Sequence, residues 1–269
     1  MKLLINLLIS APEVFQKGKL PLLVVLVFLG IIFVYFIEKA KKGGELFIRK
    51  IPGLEALDDA IGRSAEMGKP VVYLPGLVGL NSITTIASLG ILRKVARKAA
   101  EYGVELIMPN ADPLVMTTAQ EVVKEAYLDA GRPDLYNPNN IMYLTSDQFG
   151  FTAGADGIIM REKPGAVFLQ GYFYAESLIL AETAFSAGAI QIAGTTATTQ
   201  LPFFIAACDY TLIGEEMLAA SAYLSREPIL LGSLKAEDLA KAVIMVFLIM
   251  AILLKTFGII DLSFLLEIK

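Results

Sequence analysis

The stretch Val71-Val72-Tyr73-Leu74 is a short apolar run, with Lys69-Pro70 before it and the turn residues Pro75-Gly76 after it. A continuous apolar run of this length predicts a strand that is buried on both faces. Apolar residues at helical spacing precede the run at residues 54–67, and a longer helical pattern follows at residues 82–102. Helix, strand and helix in this order predict a parallel sheet that is covered by helices.

The same alternation continues along the chain. Further strands are predicted at residues 104–108, 141–144, 166–170, 189–193 and 210–213. Asp112-Pro113 predicts the start of one helix, because an aspartate can cap free N–H groups and proline fits the first turn. Further helices are predicted at residues 176–187 and 215–224, and the first of these is apolar enough to suggest cover on both sides. The sequence therefore predicts a Rossmann-like, three-layer α/β domain at residues 54–238.

Two strongly apolar segments flank this domain. Residues 20–37 carry no charge, and a helix of that length covers roughly 27 Å, enough for the hydrocarbon core of a bilayer. A cleaved signal peptide is the competing interpretation, but charged residues 38–42 follow instead of a small-residue cleavage site. We predict an interfacial segment at 1–19, a transmembrane helix at 20–37, a linker at 38–53, a second transmembrane helix at 239–262 and a tail at 263–269.

Positive charges predict the orientation of the chain. The basic residues Lys39, Lys41, Lys42, Arg49, Lys50, Lys235 and Lys241 lie between the two apolar segments, and five lysines (Lys2, Lys17, Lys19, Lys255 and Lys269) lie on their far sides. Because basic residues concentrate on the cytoplasmic side, the central domain is expected in the cytoplasm, with both termini outside. Lys255, near the end of the second segment, is expected to reach the interface with its long side chain. The predicted localisation is a multi-pass protein of the cell membrane, with the lipid bilayer as a partner.

Composition excludes several classes of chemistry. The chain has no histidine, so no His-based triad, general base or metal ligand is possible. Cys208 is the single cysteine and lies in an apolar run, which favours an unreactive buried thiol. The net charge is −4, without a basic tail, so nucleic acid is not an expected partner.

Candidate ligand-binding residues follow the predicted strands. Ligands of open parallel sheets bind beyond the carboxyl ends of the strands. The residues of this kind that we single out are polar or small: Asn110, Asp112, Ser146, Asp147, Gln148, Gly194, Thr195, Thr196 and Thr198. The segment 194–200 can cradle a phosphate or carboxylate, or alternatively its threonines satisfy a helix start. A loop rich in glycine (Gly150, Gly154, Gly157) is predicted to cover this pocket.

Metal and cofactor binding have weaker signals. Carboxylates that can bind Mg²⁺ also lie where helices begin, which is the usual place for capping acids: Asp112, Asp147, Glu176, Glu215 and Glu216. There is no Walker A pattern and no Gly-x-Gly-x-x-Gly, so the sequence identifies no cofactor. The basic row Arg93, Lys94, Arg97 and Lys98 suggests either a solvated helix face or contact with anionic lipid.

The run from Ile51-Pro52-Gly53 to Lys69-Pro70-Val71, with Pro75-Gly76 and Gly194-Thr195-Thr196, resembles a signature of uncharacterised prokaryotic membrane proteins. These proteins share an α/β domain of unknown function. The resemblance implies one domain of a recurring type, and it implies no activity, cofactor or catalytic residue.

Two functions therefore stay open after the sequence is read. The first is a membrane-anchored scaffold that assembles as a homo-oligomer, with residues 176–187 and 215–224 as candidate interface helices. The second is a small-ligand sensor or metal-assisted enzyme at the strand ends, with Asp147 and the hydroxyls of residues 195–199 in contact with the ligand. A channel is disfavoured, because the two predicted spans carry no buried polar residue besides Lys255.

Overall fold

The computed structural model describes residues 20–43, 51–225 and 227–257. The first half of the chain contains helices α1 (Leu20–Lys41), α2 (Pro52–Glu66), α3 (Ile83–Tyr102) and α4 (Pro113–Asp129), with strands β1 (Val71–Gly76), β2 (Leu106–Asn110) and β3 (Ile141–Tyr143). The second half contains α5 (Gln148–Glu162), β4 (Ala166–Tyr172), α6 (Glu176–Ser186), β5 (Ile190–Thr195), α7 (Leu201–Ala207), β6 (Tyr210–Ile213), α8 (Glu215–Ser225) and α9 (Pro228–Thr256). Short 3₁₀ turns lie at Pro133–Leu135 and Pro138–Asn140.

The sheet has six strands, all parallel, in the order β3-β2-β1-β4-β5-β6. The predicted α/β fold is therefore confirmed, and the ends of the strands differ from the predicted ones by no more than two residues. The direction in which the chain adds strands to the sheet reverses between β1 and β4. This pair is therefore the topological switch point, where sheets of this kind form a crevice. Beside the crevice, Gln170 and Gly171 of β4 face the single residue Pro75 of β1 in a β-bulge.

Two buried hydrophobic clusters cover the two faces of the sheet. One packs α2, α3, α4 and α8 against alternate strand residues such as Tyr73 and Phe168. The other packs α5, α6 and α7 against the intervening residues, such as Leu74 and Leu169. Alternation of side chains along each strand explains why both faces are apolar.

The glycine-rich segment after β3 is helical, so the prediction of a loop that covers a pocket is wrong. Gly150, Gly154 and Gly157 all lie within α5. Phe151, Ala155, Ile158 and Ile159 are buried along one side of this helix. Burial of that stripe outweighs the cost of about 1 kcal/mol per glycine in a helix.

Helix α6 is covered on one side only, in contrast to the prediction for residues 176–187. Leu180, Ala181 and Ala184 are buried against the sheet, but Ile179 and Phe185 are exposed, and Phe185 keeps 73% of its accessible surface. Among the described residues the outer side of α6 therefore has no cover.

Helices α1 and α9 form a compact unit, and α2 to α8 with the sheet form another. Both α1 and α9 are long and apolar enough to cross a membrane by length and composition. The predicted span 239–262 starts inside α9, which begins at Pro228, so the last residues of the predicted domain at 54–238 belong to the same helix. A Cβ at Gly232 would lie 2.6 Å from Ile37 Cα, and Ala236 and Ala240 are buried on the same side of α9. Small residues at this spacing allow the two backbones to approach closely.

The predicted interfacial segment 1–19 and the tail 263–269 lie outside the described residues, as do residues 258–262 of the predicted second span and 44–50 of the linker.

Candidate functional site

The crevice at the carboxyl ends of β1 and β4 is the position at which this topology favours a ligand. The loop after β1 lies beside the loop after β2, since a Cβ at Gly79 would be 3.1 Å from Asp112 Oδ2. The hydroxyl groups of Thr84, at the start of α3, and Thr196, after β5, form a hydrogen bond across the crevice. The fold therefore brings the predicted residues from separate strands to one edge of the sheet.

Asp112 and Asp147 both act as helix caps. Asp112 Oδ1 accepts hydrogen bonds from the backbone N–H groups of Leu114 and Val115, at 2.8 and 2.9 Å. Asp147 Oδ1 accepts one from Gly150 N at 2.6 Å. Each carboxylate thus satisfies N–H groups at the positive end of a helix, which is the structural interpretation of acids at these positions.

A buried carboxylate links two loops of this edge. Glu176 is fully buried at the start of α6, and its oxygens accept hydrogen bonds from Gln148 Nε2 at 2.6 Å and from Tyr174 N at 2.7 Å. Ser177 makes a second link, donating its hydroxyl hydrogen to Gln200 Oε1 at 2.7 Å. Gln148, which was predicted as a ligand contact, therefore donates its amide hydrogen to a protein side chain.

The segment 194–200 supports its own turn rather than presenting an open cradle. Thr195 is buried, and its hydroxyl oxygen accepts a hydrogen bond from Ala197 N at 3.1 Å. A Cβ at Gly194 would overlap Gln170 Oε1, so a larger residue at this position would require the buried amide of Gln170 to move. Thr198 and Ser146 are exposed.

Asn110 and Gln170 each hold a buried oxygen without a hydrogen-bond donor in the described part of the chain. Asn110 Nδ2 donates to the carbonyl oxygens of Met108 and Met142, and Gln170 Nε2 donates to Ile192 O. Nearby, the Tyr73 hydroxyl donates to Ser88 O at 2.6 Å. Burial raises the pKa of Tyr73 well above its ordinary value, so the phenol stays protonated. Buried polar atoms without a partner are rare in folded proteins, so these two oxygens mark an unusual feature of this edge.

Exposed apolar side chains surround the polar residues of this edge. They come from the loops and first helical turns that follow the strands: Ile83, Ile86, Leu114, Phe149 and Tyr174. The predicted site residues include no lysine or arginine, so an anion would find only uncharged donors there.

The five predicted oxygen ligands for a metal are not brought together. Among the described residues no group of three or more acidic or cysteine side chains is placed to hold an ion. Cys208 is half-buried at the end of α7, and burial, with a smaller effect of Asp209, raises its pKa to about 12. A thiol with this pKa is almost entirely un-ionised at neutral pH.

The basic row on α3 is paired with acids. Arg93 contacts Asp129 at 2.9 Å, Lys94 contacts Asp58 at 3.3 Å, and both Arg97 and Lys98 contact Glu101. The hydrogen bond from Lys98 lowers the pKa of Glu101 and raises that of Lys98. These pairs leave less positive charge for a lipid headgroup than the sequence suggests.

The opposite edge of the sheet contains a cavity that the sequence reading missed. Its volume is about 310 Å³, and it lies where β2 and β3 begin, with Glu105, Tyr127 and Tyr136 in its wall. The sequence of residues 137–140 is typical of a turn before β3, but no motif in the sequence indicated a pocket beside it.

Comparison with known families adds a match over nearly the whole chain. A family model described as a domain of unknown function, DUF6754, matches residues 10–266. No curated protein and no solved structure matches the chain.

Proposed function

Since the chain belongs to the DUF6754 family, whose shared domain has no assigned function, we propose a function from its own geometry. The protein is a membrane-anchored α/β module of a prokaryotic cell, and it assembles with further copies of itself. The observation that carries the assembly is an uncharged, exposed apolar surface on α7, next to the edge strand β6.

Helices α1 and α9 support the membrane anchor. Val24, Leu26, Ile31 and Val34 of α1 and Ile252 of α9 each expose more than half of their surface. Exposed apolar side chains on a helix of membrane-spanning length are stable in hydrocarbon and costly in water. Lys39, Lys41 and Lys42 at the end of α1 favour a cytoplasmic central domain.

Protease access tests this anchoring and orientation. In sealed cells an external protease should leave the central domain intact, whereas in inverted membrane vesicles it should cut the domain. Digestion in sealed cells, or a full chain that stays in solution without detergent, would contradict the proposal.

The candidate assembly surface is made by α7 and β6. Helix α7 buries only Phe204, and its Phe203 and Ile205 are exposed. The segment 197–208 carries no charged residue. On β6, Tyr210 and Ile213 are also exposed. An apolar surface without charges at the end of a sheet is typical of a protein interface.

A second copy is the occupant that this surface fits best. In the part of the chain that the structure describes, strand β6 has a neighbour on one side only, so its outer backbone groups can pair with another strand. Lipid tails cannot satisfy those groups, and the lack of basic residues in 197–208 gives headgroups nothing to bind. Two β6 strands related by a twofold axis would join two sheets in one isologous interface. Helix α8 is less suited, since Met217, Ala220 and Ser221 are buried within this chain.

A matched pair of substitutions tests the interface. Ile205→Lys places a charge in the proposed contact, and Leu128→Lys places one on α4, where the exposed fraction is nearly the same (56% and 55%). In detergent, light scattering should give an oligomer for the unmodified chain and for Leu128→Lys, and a monomer for Ile205→Lys. A monomeric unmodified chain, or an oligomer that Ile205→Lys leaves intact, would contradict the proposal.

A small-ligand sensor or metal-assisted enzyme at the carboxyl edge is the second candidate. The buried oxygens of Asn110 and Gln170, which lack donors among the described residues, are the observation in its favour. A nucleotide or sugar phosphate that raises the Tm of the full chain, with the increase lost in Asn110→Ser but kept in Glu162→Gln at the far end of α5, would support it. A panel without any such increase would contradict it.

A further inference from the structure

The cavity at the amino ends of β2 and β3 has walls of two kinds. Val104, Val123 and Ile141 give it an apolar floor, and Glu105, Tyr127 and Tyr136 give it polar and aromatic walls. Its volume of about 310 Å³ suits a small molecule or a single side chain. It lies on the opposite edge of the sheet from the crevice, so it is independent of the functions proposed above.

The charge of this wall is negative. Glu105 Oε1 accepts a hydrogen bond from the neutral amide of Asn140 at 2.9 Å, and in the described part of the chain Glu105 forms no salt bridge. The other acid, Asp134, is paired with Arg132 at 3.3 Å on the exposed side. None of the described residues that line the cavity is a lysine or an arginine. The carboxylate of Glu105 is therefore available to a cation.

The two tyrosines form an aromatic corner beside this carboxylate. Their ring centroids are 6.1 Å apart and the rings are inclined at 68°. The Tyr136 hydroxyl donates to Gln120 O at 3.2 Å. Tyr127 is only 4% exposed, and its hydroxyl forms no hydrogen bond with any described residue. Burial, with a smaller effect of the Glu105 charge, raises the pKa of Tyr127 to about 12, so it stays a neutral phenol.

We propose that this cavity binds a small organic cation, an ammonium or guanidinium group on a short apolar stem. Glu105 is the counter-ion, the rings of Tyr127 and Tyr136 contact the polarised C–H and N–H groups of the cation, and the apolar floor receives the stem. A carboxylate beside aromatic rings is the arrangement that stabilises such cations. A phosphate or carboxylate ligand would be repelled by Glu105.

Calorimetric titration of the detergent-solubilised full chain tests the proposal. The probes are butylammonium, agmatine and the blocked lysine derivative N-acetyl-lysine amide, and the last separates a free amine from a protein side chain as the source. Butan-1-ol is the neutral control, and methyl glucoside tests a sugar, which aromatic and amide walls also bind. The cations should bind at least about tenfold more tightly than the alcohol or the sugar, because only they gain the charge interaction.

Removal of the charge of Glu105 is the second test of the proposal. Glu105→Gln keeps an oxygen that accepts from Asn140 and should weaken cation binding by at least about tenfold. Glu162→Gln removes the same charge on α5, outside the cavity, and should leave binding unchanged. Equal unfolding curves of the two variants would show that any loss is not one of folding. Any of four results would overturn the proposal. Butan-1-ol could bind as tightly as the cations, or the sugar could bind more tightly than they do. No cation could bind at all, or Glu105→Gln could bind the cations with full affinity.

Discussion

Cys208 offers a test of burial at a single residue. Its pKa of about 12 means that its thiolate fraction at pH 7.5 is smaller than that of a free thiol by a factor of about a thousand. Alkylation of the native chain by iodoacetamide should therefore be slower than that of the urea-unfolded chain by about this factor. The alkylation rate of the native chain should also rise tenfold for each pH unit until the pH approaches the pKa of about 12. A native rate that levels off near pH 9 would contradict the raised pKa.

Asp156 offers a test of pH dependence. Burial raises the pKa of this carboxyl, against a smaller opposing effect of a hydrogen bond with Thr183. The folded chain then holds its proton to higher pH than the unfolded chain does, so this group's contribution to stability falls as pH rises from the unfolded pKa through the folded one. Above that window the ionised carboxylate destabilises the fold.

We therefore expect Asp156→Asn to raise the Tm at pH 7, and by no more than about 2 °C, since water screens part of the effect. The gain should disappear near pH 3, where the carboxyl is protonated in both states. Thermal unfolding at the two pH values measures this. A gain that is equal at both values would assign the effect to something other than ionisation.

The capping residues show how much of the site was readable from sequence. Asp112-Pro113 predicted a helix start, and Asp112 does cap α4. The bond of Gln148 to the buried Glu176 was not predictable, since the two side chains are 28 residues apart and meet only because α5 and α6 lie side by side. Local chemistry shows in a sequence, but contacts between distant residues depend on packing.

At the scale of elements, two glycines with opposite environments give a matched prediction. Gly171 lies in the bulge between β1 and β4, where a Cβ would overlap Pro75 O, while nothing lies within 4 Å of a Cβ at Gly157 in α5. Gly171→Ala should lower the free energy of unfolding by at least about 2 kcal/mol, because the central strands must separate to admit the methyl group. Gly157→Ala should raise it by about 0.5–1 kcal/mol through helix propensity.

Urea unfolding of the two variants measures this difference directly. A stable Gly171→Ala would mean that β1 and β4 tolerate a wider separation than the bulge allows. Such a result would also mean that the crevice between β1 and β4 is not held rigid by the bulge.

The elements differ in how far the sequence predicted them. Strand β6 has the predicted bounds, because a short apolar run between turns has few other solutions. The glycines of α5 hid a helix whose stability comes from a buried stripe on one side. Propensity is a weak guide wherever tertiary packing provides the larger free energy.

At the scale of the whole molecule, strand types were predictable but strand order was not. Alternating helices and apolar strands predicted a parallel sheet, and short right-handed crossovers limit the possible orders. Nothing in the sequence predicted that the chain returns from β3 to place β4 beside β1. That return creates the crevice, and it leaves β6 as an edge.

The division into two units gives the last prediction. All residues of the two described hydrophobic clusters lie between Ile51 and Ala220, within the unit Ile48–Ser225. A chain of residues 48–225 should therefore fold without α1 and α9, stay in water without detergent, and unfold cooperatively. Circular dichroism during heating measures the transition, and a sloping melt or an insoluble fragment would contradict it.

Because the fragment keeps α7 and β6, it should also associate as concentration rises, and Ile205→Lys should abolish that association. A fragment that folds but stays monomeric would mean that assembly needs the membrane helices as well.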